Sequence, residues 1–245
     1  MPALKKPENV FYYSHDHGGV IMLDTASGSW IALNATASDL WRSWASGSGF
    51  DDGVAAVAAR HPDVPHRSIL ADAESLISEL TARGLMDAAP AEAASDAVPG
   101  SGVAMAEPER VLNHGRLRRP LRSGVAFSCL VLASLLVRCS FRAAVRLVSA
   151  SRRRWCRASS DLGAARRTVA AVGTAARYYP GKAACLELSL AAVLLAAVRR
   201  RRLDWCLGSA TDPYQFHAWV ELEGQAVPAP GRPAEDTRYI RVLAV

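Results

Sequence analysis

The chain has 245 residues, of which 50% are hydrophobic, and it carries 29 Lys and Arg against 23 Asp and Glu. This length and apolar content are sufficient for two domains and a sizeable core. The five cysteines contain no CxxC pair, and their odd number argues against a disulfide framework and against a cysteine-based zinc site. Cys129 and Cys139 lie in apolar helical sequence, and we expect them in the core.

Charge is distributed unevenly along the chain. Residues 1–90 hold 6 basic and 11 acidic side chains, residues 91–109 add four acids, and residues 110–245 hold 23 basic and 8 acidic side chains. The arginines recur within helical patterns without interleaved aromatic residues, so they indicate solvated helix faces and no nucleic-acid partner. No apolar segment follows Lys5 and Lys6 near the N-terminus, and this predicts a cytoplasmic protein.

The first ninety residues predict a three-stranded β-meander followed by three helices. β-branched and aromatic runs separated by turn signals give the strands, at Val10 to His15, Val20 to Leu23 and Ser29 to Leu33. The helices are marked by caps and apolar stripes: from Asn34 or Thr36 to Trp44, from Asp51 to Arg60, and from Pro65 to Arg83 with Gly84 as the stop.

The segment LDTASGSWIALNATASDLW and the helix ending Leu80, Gly84, Leu85 carry a family resemblance. Over roughly residues 8–88 the chain resembles the pyrroloquinoline quinone synthesis protein D family, also called the RiPP precursor recognition element. The resemblance implies a small winged-helix-like domain that does no chemistry. It also implies that this domain binds the leader of a ribosomally made peptide as an added strand.

The physical chemistry of a small sheet is consistent with this role, because an open strand edge can pair with another chain. If the third strand is that edge, the leader would lie between it and the third helix. The candidate peptide-binding residues are then Ser29, Trp30, Ile31, Ala32 and Leu33 on the strand and Leu70, Ala73 and Ile77 on the helix. The alternative is that Trp30, Ile31 and Leu33 are ordinary core and edge residues.

Residues 88–109 are rich in Ala, Pro, Gly and acids without an apolar period, which predicts a flexible linker. The predicted domains are therefore 1–87 and 110–245, and the tether would raise the effective substrate concentration at the second domain. The apolar run at 124–137 has 14 residues, fewer than the roughly 20 needed to cross a bilayer. It predicts a buried core helix and no integral membrane segment.

The second half predicts helices to about Tyr178, a helix from Lys182 to about Arg199, and then strands. Cys185 falls in the first turn of that helix or just past it, where the macrodipole favours the thiolate. The following strands run from Leu203 to Gly208 and from Phe216 to Leu222, and the second carries His217 and ends in a Glu223-Gly224 turn. A thiol at a helix start with an imidazole nearby is typical of acyl-transfer sites.

The segments CLELSLAAVLL and FHAWVELEG resemble the transglutaminase-like cysteine protease that is the B component of lasso peptide biosynthesis. Together with the upstream domain, the order resembles the form in which a recognition element is fused to the leader peptidase. The resemblance implies an α+β chain whose second domain is papain- or transglutaminase-like, with helices before a small antiparallel sheet. It makes Cys185 the nucleophile and His217 the general base, with a separate asparagine synthetase-like cyclase as partner.

The third catalytic group departs from that family, which usually has an Asp about a dozen residues after the histidine. The corresponding residue is Ala229, which the turn register would place opposite Ala218. Asp236 is the favoured substitute, with Glu235 or a backbone carbonyl as alternatives. Glu221 shares a strand face with His217 and is as well explained as a surface charge.

Two further residues have ordinary structural interpretations. Cys206 is interpreted as buried filler, or else as a second thiol near the site, and Trp219 as a core or pocket-wall residue. The backbone N–H of Cys185 is a candidate oxyanion donor. The histidines other than His217 show no ligand spacing, so neither a metal nor another cofactor is expected.

Three functions remain open from the sequence. The first is a leader peptidase for a lasso-type peptide. The second is a non-catalytic adaptor that binds precursor and delivers it to the cyclase, and the third is a transglutaminase-type thiol enzyme that acts on another acyl group.

Overall fold

The computed structural model describes residues 4–15, 18–87, 120–156, 158–159, 161–211, 214–229 and 239–245, with the backbone alone at 120–123, 158, 159, 211 and 214. The chain divides into two compact units, Met1–Gly102 and Val103–Val245. The predicted linker, residues 88–109, lies outside the described residues. The predicted mixed α+β class is confirmed, because each unit combines helices with an antiparallel sheet.

The first unit is a three-stranded antiparallel meander followed by three helices, as the sequence predicts. The strands are β1 (Val10–Ser14), β2 (Val20–Asp24) and β3 (Trp30–Leu33), in the order β1-β2-β3. The helices are α1 (Ala35–Ala45), α2 (Phe50–Arg60) and α3 (His66–Ala82). β3 is therefore an edge strand of this sheet.

Local signals set the helix boundaries in this unit. The Asn34 side chain accepts a hydrogen bond from the backbone N–H of Ala37 at 2.9 Å, so Asn34 and not Thr36 caps α1. Gly84 has a φ of +66°, and the N–H of Leu85 reaches back to the carbonyl of Leu80 at 2.8 Å. This left-handed residue ends α3, because only glycine adopts such a φ without cost.

The second unit places four helices before its main sheet. The helices are α4 (Pro120–Cys139), α5 (Phe141–Arg154), α6 (Leu162–Ala176) and α7 (Cys185–Val198). A parallel pair, β4 (Ala158–Ser159) with β5 (Arg201–Arg202), was not predicted. The main sheet holds β6 (Asp204–Thr211), β7 (Tyr214–Leu222), β8 (Gln225–Ala226) and β9 (Ile240–Ala244), in the order β8-β7-β6-β9.

The apolar segment at 124–137 lies in α4, and only one face of that helix is buried. Leu130 is fully covered, whereas Leu132 and Leu135 are 44% and 54% exposed. Among the described residues no helix is both long and apolar enough to span a membrane. Cys129 is buried as expected, but the prediction for Cys139 was wrong, because it lies exposed at the end of the helix.

Two glycines in helices give a matched pair of stability predictions. A Cβ on buried Gly53 of α2 would lie 2.5 Å from Nε1 of Trp44, whose ring is stacked on Phe50 at 5.5 Å. A Cβ on exposed Gly173 of α6 would meet nothing within 4 Å. We expect Gly53→Ala to lower the free energy of unfolding by about 1–3 kcal/mol because of overpacking. Gly173→Ala is expected to raise it by about 0.5–1 kcal/mol through helix propensity.

Urea unfolding of the two variants and the parent protein checks this pair. Equal effects of the two substitutions would contradict the steric argument, since helix propensity alone treats both glycines alike.

Candidate functional site

Cys185 is the first residue of α7, so the helix begins three residues later than the sequence suggested. The thiol-bearing residue is buried, with 7% of its surface exposed. Ala184, the residue before the helix, has no side-chain acceptor, and its own N–H donates to the Glu187 carboxylate at 3.0 Å. Cys185 therefore lies at the positive end of the helix dipole, where a thiolate is stabilised.

The helix that carries Cys185 packs against the strand that carries His217. One turn into α7, Ser189 accepts a hydrogen bond from the indole N–H of Trp205 at 2.9 Å. Trp205 belongs to β6 and lies directly opposite Val220 of β7. Both predicted catalytic residues thus belong to one helix–sheet unit, and direct contact between thiol and imidazole stays a prediction.

His217 lies opposite Gly208 in the β6–β7 ladder. Because side chains alternate along a strand, His217, Trp219 and Glu221 share one face of the sheet, and Trp205 and Val220 share the other. The His217 ring lies 6.1 Å from the Trp219 ring at an interplanar angle of 13°. It also lies 4.8 Å from the ring of Tyr239, which immediately precedes β9. One aromatic neighbour from β7 and one from the residue before β9 therefore pack against the imidazole.

Glu221 is buried, and the alternative of a surface charge was wrong. Only 6% of the residue is exposed. Its carboxylate accepts a hydrogen bond from the indole N–H of Trp219 at 2.8 Å and forms an ion pair with Arg241 of β9. The sequence missed Arg241, because its pairing depends on β9, although the alternation in the segment Tyr239 to Ala244 is a weak strand signal.

Cys206 is fully buried on the same face of the sheet. Burial strongly raises the pKa of its thiol, and the nearby Glu221 carboxylate raises that pKa further. A thiol of this kind stays protonated at neutral pH and is a poor nucleophile. The interpretation of Cys206 as buried filler is therefore favoured over a second reactive thiol.

The favoured third catalytic residue, Asp236, and its alternative Glu235 lie outside the described residues, so the third member of the site stays a prediction. The register supports the predicted turn, since Leu222 pairs with Gln225, and the Val227 N–H reaches the Val220 carbonyl at 2.8 Å. The β7–β8 ladder ends at Ala226, however, so the predicted pairing of Ala229 with Ala218 was wrong, and Ala229 is exposed.

The candidate peptide-binding residues of β3 differ in exposure. Ser29 and Ala32 are exposed, Trp30 and Ile31 are half-buried, and Leu33 is 6% exposed. Within the described residues no strand pairs with the outer side of β3. Leu33 therefore contributes mainly to the core, whereas the other four residues line an open edge.

The backbone groups of that edge can be assigned from the ladder. The Asp24 N–H donates to the Ser29 carbonyl at 3.0 Å, and Met22 lies opposite Ile31. Antiparallel pairs alternate between bonded and non-bonded, so Ile31 bonds to β2 and the backbone groups of Trp30 and Ala32 point outward. These outward groups are the ones that an added strand would use.

On α3 the candidates also divide into core and surface. Leu70 and Ile77 are half-buried and pack against the core of the first unit. Ala73 has no exposed surface and belongs to the core of the first unit, and its role as a peptide contact stays a prediction. Among the described residues, no group of three or more His, Cys, Asp or Glu is arranged to hold a metal ion.

Comparison with known proteins agrees with the predicted order of the two regions. Residues 127–244 match the family profile described as Transglutaminase-like superfamily, and residues 19–86 match that of Coenzyme PQQ synthesis protein D. No curated protein matches the chain significantly. Among solved structures, "TbiB1 in Complex with the TbiA(beta) Leader Peptide" matches with 22% identity and a TM-score of 0.33, over 36% of this chain and 99% of that chain. The chain therefore joins a PqqD-like region to a transglutaminase-like region.

Proposed function

We propose that this chain is a cytoplasmic leader peptidase in the maturation of a lasso-type ribosomal peptide. Residues 1–87 would capture the leader, residues 88–109 would tether the two domains, and residues 110–245 would cut the leader from the core. The observation that carries the proposal is the combination of an open β3 edge in a PqqD-like region with a cysteine at the start of a helix in a transglutaminase-like region.

Leader capture would proceed by addition of a strand to β3. The outward backbone groups of Trp30 and Ala32 supply the hydrogen bonds, which are largely independent of the leader's sequence. Half-buried Ile31, Leu70 and Ile77 supply apolar contacts that select its side chains. Because the bound leader is tethered to the catalytic domain, the local concentration of the scissile bond near that domain would be high.

Cleavage would use Cys185 and His217 in two steps. The thiolate attacks the carbonyl carbon at the leader/core junction, the backbone N–H of Cys185 stabilises the oxyanion, and the His217 imidazolium protonates the departing core amine. Water, deprotonated by His217, then attacks the thioester and releases the leader as a carboxylic acid. The net change is one peptide bond hydrolysed by one water molecule.

The thiol and the imidazole would have to meet at the N-terminal end of α7. One turn further along the helix, the contact between Ser189 and Trp205 lies on the other face of the sheet from His217. Asp236 stays the favoured third group, as a residue that would orient His217. A thiolate–imidazolium pair depends less on such a group than an alcohol nucleophile does.

The partner in the next step would be an asparagine synthetase-like, ATP-dependent cyclase that joins the new core amine to an acidic side chain. The second candidate function is an adaptor that binds the precursor and delivers it to this cyclase without cutting it. The exposed Ala229 favours that alternative, because the family's usual carboxylate is missing there.

The test is incubation of the protein in ¹⁸O-labelled water with a precursor peptide encoded beside its gene, followed by mass spectrometry. We expect two fragments, with one ¹⁸O in the leader carboxylate and none in the core peptide. Tight binding of an intact precursor would reject the peptidase in favour of the adaptor. The absence of both binding and cleavage would reject both functions for that peptide.

A further inference from the structure

The packing of side chains around His217 depends on the absence of a side chain at Gly208. A Cβ added to Gly208, which lies opposite His217, would come within 2.7 Å of Cη2 of Trp219 and would collide with the backbone carbonyl of Ile240. The register with β9 also shifts between Leu207 and Gly208. Since Gly208 has no side chain, the Trp219 indole can lie over the backbone of β6 beside the imidazole.

A hydrogen bond at the N–H edge of the Trp219 indole holds the ring in this position. Its N–H donates to Glu221 at 2.8 Å, and the Glu221 carboxylate is in turn paired with Arg241 on β9. A buried carboxylate with two donors has little freedom to rotate, because leaving either donor costs a charge-assisted hydrogen bond. The plane of Trp219 is therefore fixed by elements on both sides of β6.

The His217 imidazole lies nearly parallel to the Trp219 indole. The rings of His217 and Trp219 are nearly parallel, at 13°, with an offset-stacked separation of 6.1 Å. Tyr239 contacts the same imidazole at 4.8 Å, and its hydroxyl donates to the Gln215 side chain at 3.0 Å. Both aromatic neighbours of His217 thus have their own polar anchor.

We propose that Glu221 and Trp219 are positioning residues that set the orientation of the His217 imidazole through ring packing. The inference rests on the proposed function insofar as His217 acts as the general base, and it assigns to Glu221 a role that acts only through Trp219. In this arrangement ring packing does part of the work that a carboxylate on the imidazole does in a catalytic triad.

The first test measures the imidazole itself and needs no substrate. The ¹³C order parameter of the His217 ring is assigned by loss of its signal in His217→Gln. On the scale used for the backbone, where rigid sites have values of about 0.85 and flexible sites values below about 0.6, we expect a rigid ring in the parent and a flexible one in Glu221→Ala. Glu221→Gln keeps an acceptor for the indole N–H but loses the ion pair with Arg241, so we expect it to loosen the ring less than Glu221→Ala does. Trp219→Phe keeps the ring but loses the N–H anchor, and we expect it to loosen the imidazole. An unchanged order parameter in Glu221→Ala and Trp219→Phe would overturn the proposal.

The second test is kinetic and uses the precursor. Glu221→Ala is expected to lower kcat about tenfold or more with KM nearly unchanged, because a misplaced base affects the chemical step and leader binding lies elsewhere. Glu221→Gln, which keeps the acceptor for the indole N–H, is expected to recover part of this loss. A fall in kcat that Glu221→Gln does not recover would contradict positioning through Trp219.

Thr168→Val is the matched control for destabilisation. It removes the hydrogen bond of 3.2 Å that the Arg199 guanidinium donates to the Thr168 hydroxyl, between α6 and the end of α7. Both residues belong to the same unit but lie outside the strands that carry His217, Trp219 and Glu221. We expect normal ring order and normal kcat in this variant. If the parent protein cleaves no precursor, the peptidase proposal fails. The order parameters still test whether Glu221 and Trp219 position the His217 ring.

Discussion

Cys185→Ala is expected to abolish leader release while leaving the affinity for the precursor unchanged within about twofold. The substitution removes the nucleophile, and loss of a catalytic nucleophile typically lowers kcat by at least ~10³-fold. It removes only a sulfur atom from a buried position at the start of α7, so the helix should be retained. Mass spectrometry of the reaction and fluorescence anisotropy with a labelled precursor measure the two quantities separately.

The matched control is Cys206→Ala. This second buried cysteine lies in the same domain, but the pKa of its thiol is raised by burial and by Glu221. We expect leader release to continue in Cys206→Ala, with some loss of stability from the cavity. Leader release by Cys185→Ala at the parent rate would show that another group is the nucleophile.

The first unit could be predicted almost completely because its signals are local. β-branched and aromatic runs mark the strands, Asn34 caps α1 and Gly84 ends α3, each within a few residues of the feature it determines. Ala73 shows the limit of such signals. A helical stripe reveals which face of α3 is apolar, but which members of the stripe are covered depends on packing against the rest of the unit.

In the second unit, local signals placed Cys185 on a helix and His217 on a strand. The features that the sequence did not predict are those formed by residues that are far apart along the chain. β9 lies about 30 residues from its partner β6 and was not predicted. Alternation indicated that Glu221 shares the face of His217, but the ion pair that neutralises its buried carboxylate is formed by Arg241, which belongs to β9. Alternation along β7 therefore predicts which side chains share the face, whereas tertiary pairing determines the environment of each of them.

The outward groups of β3 lead to a prediction about leader binding. In Ala32→Pro the outward N–H is replaced by a ring carbon, whereas the hydrogen bonds between β2 and β3 are formed by other residues. One backbone hydrogen bond contributes roughly 0.5–1.5 kcal/mol. With the added bulk on the edge, we expect precursor affinity to fall about tenfold. The affinity is best measured in a Cys185→Ala background, where the precursor stays intact.

Ser14→Pro provides the control on the opposite edge of the same sheet. The His15 N–H donates to the Gly19 carbonyl at 2.8 Å, so by alternation the Ser14 N–H points away from β2, as the Ala32 N–H does on β3. The two variants place the same substitution at equivalent positions of the two edges. Strand addition at β3 requires that Ala32→Pro weaken binding and Ser14→Pro leave it unchanged. The reverse result would move the leader to β1, and equal losses would indicate destabilisation of the sheet itself.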